Sequence, residues 1–148
     1  MRVCIVGSRD CTSMEILQDA IAQAQDVGIE VTSVITGEEK GICKLAAEWA
    51  EITQINLVTF PVKWNDISVE GAEIKERFNS WKKRKEPYNA NAGRQRDELM
   101  LADAEAVISI DMNTNHSKFT AMKAEKMGLK VYEYAPPVIE DDLEEIVF

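Results

Sequence analysis

No apolar run in this chain approaches the roughly eighteen residues of a membrane-spanning helix, so no membrane partner is expected. Histidine occurs once, at His116, and the three cysteines, Cys4, Cys11 and Cys43, lack metal-ligand spacing. Neither a metal nor a cofactor is therefore expected. The odd cysteine count and the lack of a signal segment predict a reducing cytoplasm rather than a disulfide scaffold. Two nucleotide fingerprints are also missing: the chain has no G-x-G-x-x-G turn and no lysine-bearing phosphate loop. Positive charge is in deficit, with 17 Lys and Arg against 26 Asp and Glu, a formal charge of −9. That balance disfavours nucleic acid and anionic membranes as partners, and still permits a local basic pocket.

What is present is 148 residues, 45% of them apolar, enough for one substantial core. Arg2 to Val6 reads as a strand. Ser13 to Asp26 reads as a helix whose Met14, Leu17, Ile21 and Ala24 form one stripe between a Thr12 or Ser13 cap and a Gly28 stop. A second strand over Glu30 to Ile35 leads to a helix from Ile42 to Thr53, and a third strand, Asn56 to Phe60, stops at Pro61. The pattern is weakest from Val62 to Ala92. There Ile74, Phe78 and Trp81 give Val69 to Trp81 a helical spacing, and Lys82-Lys83-Arg84-Lys85 reads as its solvated end or as an anion-attracting rim. Helices at Gly93 to Asp103 and Lys118 to Met127 frame a fourth strand, Ala106 to Ile110, and a fifth follows at Leu129 to Tyr134.

Short β-branched strands alternating with helices predict an α/β fold, because each parallel crossover needs length that a helix supplies. The expected architecture is a Rossmann-like three-layer sandwich with a mostly parallel five-stranded sheet of order 3-2-1-4-5. Its crevice should open at the carboxyl ends, near the reversal between the first and fourth strands. Residues 1–134 make up this domain, and 135–148 form an acidic tail that is either disordered or docked through Ile146, Val147 and Phe148.

The chemistry starts where strands end. Gly7 allows close backbone approach, Ser8 can donate to an anionic oxygen, Arg9 offers a charged fork, and Asp10 suits a ribose hydroxyl or a helix cap. Thr36, Gly37 and Gly41 form a second turn at a helix start, where unpaired amides attract anions, and its two acidic residues, Glu38 and Glu39, allow hydroxyl recognition, a metal bridge or helix-terminus stabilisation. Trp64 can wall an aromatic ring or pack at a loop hinge. Arg96 is the cation placed to reach the crevice or to bridge a nearby carboxylate, with Asp97 beside it. Asn115, His116 and Ser117 occupy the turn after the fourth strand, where Ser117 suits a cap or an anion donor better than a nucleophile.

These pieces occur in an order that resembles the bacterial and phage YspA-like family of the SLOG superfamily. Gly7-Ser8-Arg9-Asp10 is followed by Thr36-Gly37 with Gly41, then Ala46, Glu48-Trp49-Ala50, Phe60-Pro61 and Trp64, then Gly93, Arg96, Asp97, Met100 and Ala102-Asp103. The resemblance spans about residues 2–134. It implies Rossmann-like proteins that sense or process nucleotides or nucleotide-derived ligands, and a homo-oligomer. By that resemblance Gly7, Ser8 and Arg9 form the first ligand-binding turn, and Thr36, Gly37 and Gly41 the second. Three positions depart from the family pattern: Asp97 replaces an amide, Glu38 a second glycine, and Asn115-His116-Ser117 an Arg-Gly-Thr turn.

The leading expectation is binding or sensing of a nucleotide-derived small molecule, with phosphate on the first turn and Arg96, ribose on acidic side chains and base on Trp64. An alternative is a hydrolase or transferase acting on a glycosidic or phosphate-ester bond, with Asp97 and Glu38 as its carboxylates. Another is an interaction module using the acidic tail.

Overall fold

Val3, Cys4 and Ile5 are fully buried, and a strand hidden on both faces needs a neighbouring strand on each side and helices above and below. The computed structural model, which describes residues 1–112 and 118–134, provides all four. In chain order the elements are β1 (Arg2–Gly7), α1 (Met14–Asp26), β2 (Ser33–Gly37), α2 (Ile42–Thr53), β3 (Asn56–Phe60), β4 (Ile74–Asn79), β5 (Arg84–Asn89), α3 (Ala92–Asp103), β6 (Ala106–Ile110), α4 (Lys118–Lys126) and β7 (Lys130–Glu133). The main sheet is wholly parallel, in the order β3-β2-β1-β6-β7. With β6 and β7 as the fourth and fifth expected strands, this is the 3-2-1-4-5 order, and its reversal lies between β1 and β6.

Alternation along β1 divides the core. Val3 and Ile5 pack with Leu17, Ala20 and Ala24 of α1 and Ile42, Leu45 and Ala46 of α2. Cys4 and Val6 face the other way, onto Met100 and Leu101 of α3 and Ala124 of α4. The result is a three-layer α/β/α sandwich. Ser13 caps α1 by accepting from the Ile16 N–H, and Gly28, at a φ of 94°, ends it, as the sequence expects.

Two expectations need correction. The second strand runs from Ser33 to Gly37 rather than from Glu30 to Ile35, because Ile29 is drawn back to close α1, its N–H donating to the Ala24 carbonyl, and Thr32 pairs with Met1. The helical spacing of Val69 to Trp81 belongs instead to an antiparallel hairpin, β4 with β5. Ile74 and Phe78 lie four residues apart, and four is a multiple of the strand period as well as about one helical turn. The basic run Lys82-Lys83-Arg84-Lys85 forms the hairpin turn and the start of β5, not a helix end, with Lys83 in the left-handed region at φ 51°. The stretches containing Asn115, His116 and Ser117, and the 135–148 tail, lie outside the described residues. Among the described residues no helix is long and apolar enough to cross a membrane.

Candidate functional site

The first and second turns, thirty residues apart in sequence, are built against each other. Gly41 begins α2 at φ 75°, and a Cβ there would run into the Ser8 carbonyl and the Arg9 backbone. Only glycine permits this approach, which lets the Ile42 N–H donate to the Ser8 carbonyl at 3.0 Å. Gly7 is equally constrained from the other side, since a Cβ would meet the Ile110 carbonyl of β6. Ser8 completes the junction: it is fully buried, its N–H donates to Ile110 at 3.0 Å, and its Oγ accepts from the Met112 N–H at 2.8 Å. Thr36 is buried too, and its hydroxyl donates to the Ile5 carbonyl at 2.7 Å. Ser8 and Thr36 therefore hold the strand ends together, and Arg9 and Asp10 are the exposed members of the first turn.

Arg96 reaches under the second turn from the start of α3. Its Nε donates to Asp97 at 2.8 Å, its Nη1 to the Phe60 carbonyl at 3.4 Å, and its Nη2 to Glu39. Side-chain exposure is only 10% for Arg96 and 18% for Glu39, so this is a largely sheltered ion pair rather than a surface contact. Gly37 makes room for it, because a Cβ there would strike both the Glu39 carboxylate and the Arg96 guanidinium. Burial pushes the Glu39 carboxyl up, but the hydrogen bond and charge of Arg96 more than offset it and hold Glu39 below its ordinary value. Burial likewise lowers Arg96, and Glu39 with Asp97 raises it above its ordinary value on balance. Beside the pair, burial pushes the Cys43 thiol up, with the Glu39 charge adding to it, so this cysteine is not an activated thiolate.

Two spaces meet at this pair. An inner cavity of about 50 Å³ is lined by Val6, Gly7, Glu39, Cys43, Arg96, Asp97, Met100 and Thr120. It has room for water but not for a nucleoside. Outside it a cleft of about 570 Å³ is lined by Arg9, Glu38, Glu39, Lys40, Val62, Trp64 and Arg96. Trp64 is 42% exposed on that wall, and its ring end lies over Gly93 at the start of α3. The cleft opens at the carboxyl ends of β1 and β2, where a parallel sheet offers its ligand site. Among the described residues no group of three or more His, Cys, Asp or Glu side chains is arranged to hold a metal ion.

Of the residues singled out in the sequence, Arg9, Glu38, Trp64 and Arg96 converge on the cleft, while Gly37 makes room for the Arg96–Glu39 pair and Gly41 for the backbone of Ser8 and Arg9. Asp97 and Glu38 do not line a common space: Asp97 borders the inner cavity, Glu38 the outer cleft. The acidic residue that joins both spaces is Glu39, one of the two acidic residues of the second turn, of which the sequence singles out only Glu38 for the site. Its signal was its place between Gly37 and Gly41, where the chain must turn inward.

Comparison with curated proteins and with solved structures finds no match. One family model does match, over residues 1–66, the segment that holds β1 through β3, both strand-end turns and Trp64. Over that segment the chain is similar to the YAcAr family, described as the YspA, cpYpsA-related SLOG family.

Proposed function

We propose that the protein binds a nucleotide or nucleotide-derived small molecule in the cleft between the two turns. The match of residues 1–66 to a SLOG family points to nucleotide-related ligands at the level of that family. The observation that carries the reading for this chain is the lining of one opening by two exposed cations, Arg9 and Lys40, an exposed carboxylate, Glu38, and an aromatic wall, Trp64. Phosphate suits the cations, ribose hydroxyls suit the acceptor oxygens of Glu38, and a base suits the indole face. A volume of about 570 Å³ is in the range of small-ligand clefts.

Binding is favoured over bond cleavage by the state of Glu39. Held ionised by Arg96, it is a poor proton donor near neutrality, and its Oε1 is already engaged on the guanidinium. The test is titration calorimetry against mono-, di- and cyclic nucleotides and ribosylated derivatives, on wild type and on Arg9→Ala and Trp64→Ala. Both substitutions sit on exposed or half-exposed side chains, so folding should be retained. Binding of at least one compound, weakened about tenfold or more by each change, is the expected result. Binding that neither substitution alters would remove the cleft as the site.

A further inference from the structure

The β4–β5 hairpin pairs with neither edge of the main sheet, and β4 is exposed on both faces from Ile74 to Phe78. It is tied down at its base, where the Asn89 N–H donates to the Trp64 carbonyl at 2.7 Å and the Asn89 side chain accepts from the Glu73 N–H at 3.0 Å. The register separates two faces. Ile74, Glu76, Phe78, Lys85 and Pro87 share one with the buried Asn89, and its charges balance. Lys75, Arg77 and Arg84 share the other with Asn79, Glu86 and Tyr88, and the turn beside them carries Lys82 and Lys83.

On that second face and turn, five cations meet two carboxylates. Glu86 is shared by Lys82 at 3.1 Å and Arg84 at 3.5 Å, and Glu73 reaches Lys75 at 3.5 Å, all in exposed, weak pairs. Three positive charges remain in excess. Among the described residues no carboxylate pairs with Arg77 or Lys83, and Arg77 lies over the Tyr88 ring, 5.2 Å from its centre, which orients the guanidinium. Lys75 and Arg77 stand two residues apart on one strand, about 6.8 Å, close to the step between successive phosphates of an extended nucleic-acid strand. A lipid surface fits this row poorly, since cations laid on its headgroups would turn Ile74 and Phe78 away from the bilayer. At the tip Trp81 is 95% exposed, and a hollow of about 280 Å³ between the ribbon and Asn65 is bordered by Arg77, Asn79, Glu86 and Tyr88. An unpaired base can stack on that indole or enter the hollow, whereas a base inside a duplex can do neither.

The geometry points to the cationic face and tip of the hairpin as a binding site for single-stranded nucleic acid. Lys75, Arg77, Arg84 and the turn lysines hold backbone phosphates, and Trp81 stacks a base. The chain's charge of −9, which weighs against nucleic acid when taken over the whole molecule, acts weakly here. A ribbon of six-residue strands is about 20 Å long, more than twice the screening length of about 8 Å at physiological salt, so its tip is shielded from the acidic body. The hollow and the ligand cleft share no lining residue, so this site is separate from the one proposed for the small molecule.

Fluorescence anisotropy of labelled oligo(dT) and oligo(rU), each of about fifteen nucleotides, titrated with the full chain at about 50 mM salt, tests this. Binding of either is the expected result, with the logarithm of the association constant falling against that of salt at a slope of about −2, as three net cations on a single strand require. Trp81→Ala should weaken it about fivefold or more. Arg77→Ala should do the same and reduce the slope by about 0.7, as should Lys83→Gly, which removes a cation where φ is 51° and glycine keeps the turn. Lys85→Ala removes an equal charge from the other face and should change affinity by less than about twofold. No oligonucleotide binding, duplex bound as tightly as single strands, or an equal loss in Lys85→Ala would overturn the proposal. So would adsorption to vesicles of anionic lipid in place of oligonucleotide binding.

Discussion

Arg96 and Glu39 lie 57 positions apart and form a hydrogen-bonded ion pair on the shared wall of the inner cavity and the outer cleft. The guanidinium is thus partly neutralised before any ligand arrives, with Asp97 and the Phe60 carbonyl taking two more of its donors. An incoming anion must compete with a carboxylate for this cation. Arg9 and Lys40, exposed at the cleft rim, face no such competition from Glu39.

Replacing Glu39 by Gln therefore has two opposite effects. Removing one partner of a sheltered pair should cost about 1–3 kcal/mol of stability, measured by urea unfolding. Removing the competing charge should tighten binding of inorganic phosphate or a nucleotide severalfold, measured by calorimetry at low salt. A variant that loses stability and affinity together would place Glu39 among the groups that contact the ligand.

The same pair sets a pH window. Glu39 is held below its ordinary value of 4.5, so its contribution to stability is present above that value and lost as pH falls through the lower folded one. The stability gap between wild type and Glu39→Gln should stay constant from about pH 7 to about pH 5 and close progressively below. Urea midpoints at matched ionic strength read it directly. The comparison between the two proteins cancels the other carboxylates.

The sheet was legible in the sequence because its strands are buried on both faces, so Val3 to Val6 and Ala106 to Ile108 read as unbroken apolar runs. The hairpin was not, because Ile74 and Phe78 satisfy helix and strand periods alike and the exposed ribbon has no apolar run to mark it. The turns were legible through their glycines. Their side chains were not: Thr36 looks like a ligand donor but gives its proton to the Ile5 carbonyl, and Ser8 is fully buried at a strand junction with its Oγ accepting from the Met112 N–H. The pairing of Glu39 with Arg96 was not legible, because it depends on Arg96 arriving from a helix whose placement no local pattern specifies.

The two glycines of the second turn should behave differently. At Gly41 an Ala side chain would be strained at φ 75° and would meet backbone of Ser8 and Arg9, which cannot swing aside. Gly41→Ala should cost about 3 kcal/mol or more. At Gly37 the obstructing groups are the ends of the Glu39 and Arg96 side chains, which can move. Gly37→Ala should cost about 1–2 kcal/mol and open the ion pair, so that its anion affinity, unlike its fold, departs from wild type. Thermal unfolding and phosphate titration together separate the two outcomes.

A last contact closes the far edge of the sheet and gives an alkaline signature. Tyr134 follows β7, is 5% exposed, and donates through its hydroxyl to Asp19 of α1 at 2.8 Å. Burial, then the hydrogen bond and charge of Asp19, push its ionisation from 10.0 up to about 12. A raised folded value means the contribution to stability is complete below pH 10.0 and lost as pH rises through about 12. Tyr134→Phe should therefore lose about 1 kcal/mol at neutral pH, with the gap to wild type closing as the phenol of the native protein ionises. Tyrosinate absorbance should show a step near pH 12 in wild type that the variant lacks. If the variant retains that step, the contact between Tyr134 and Asp19 does not hold this edge of the sheet to α1.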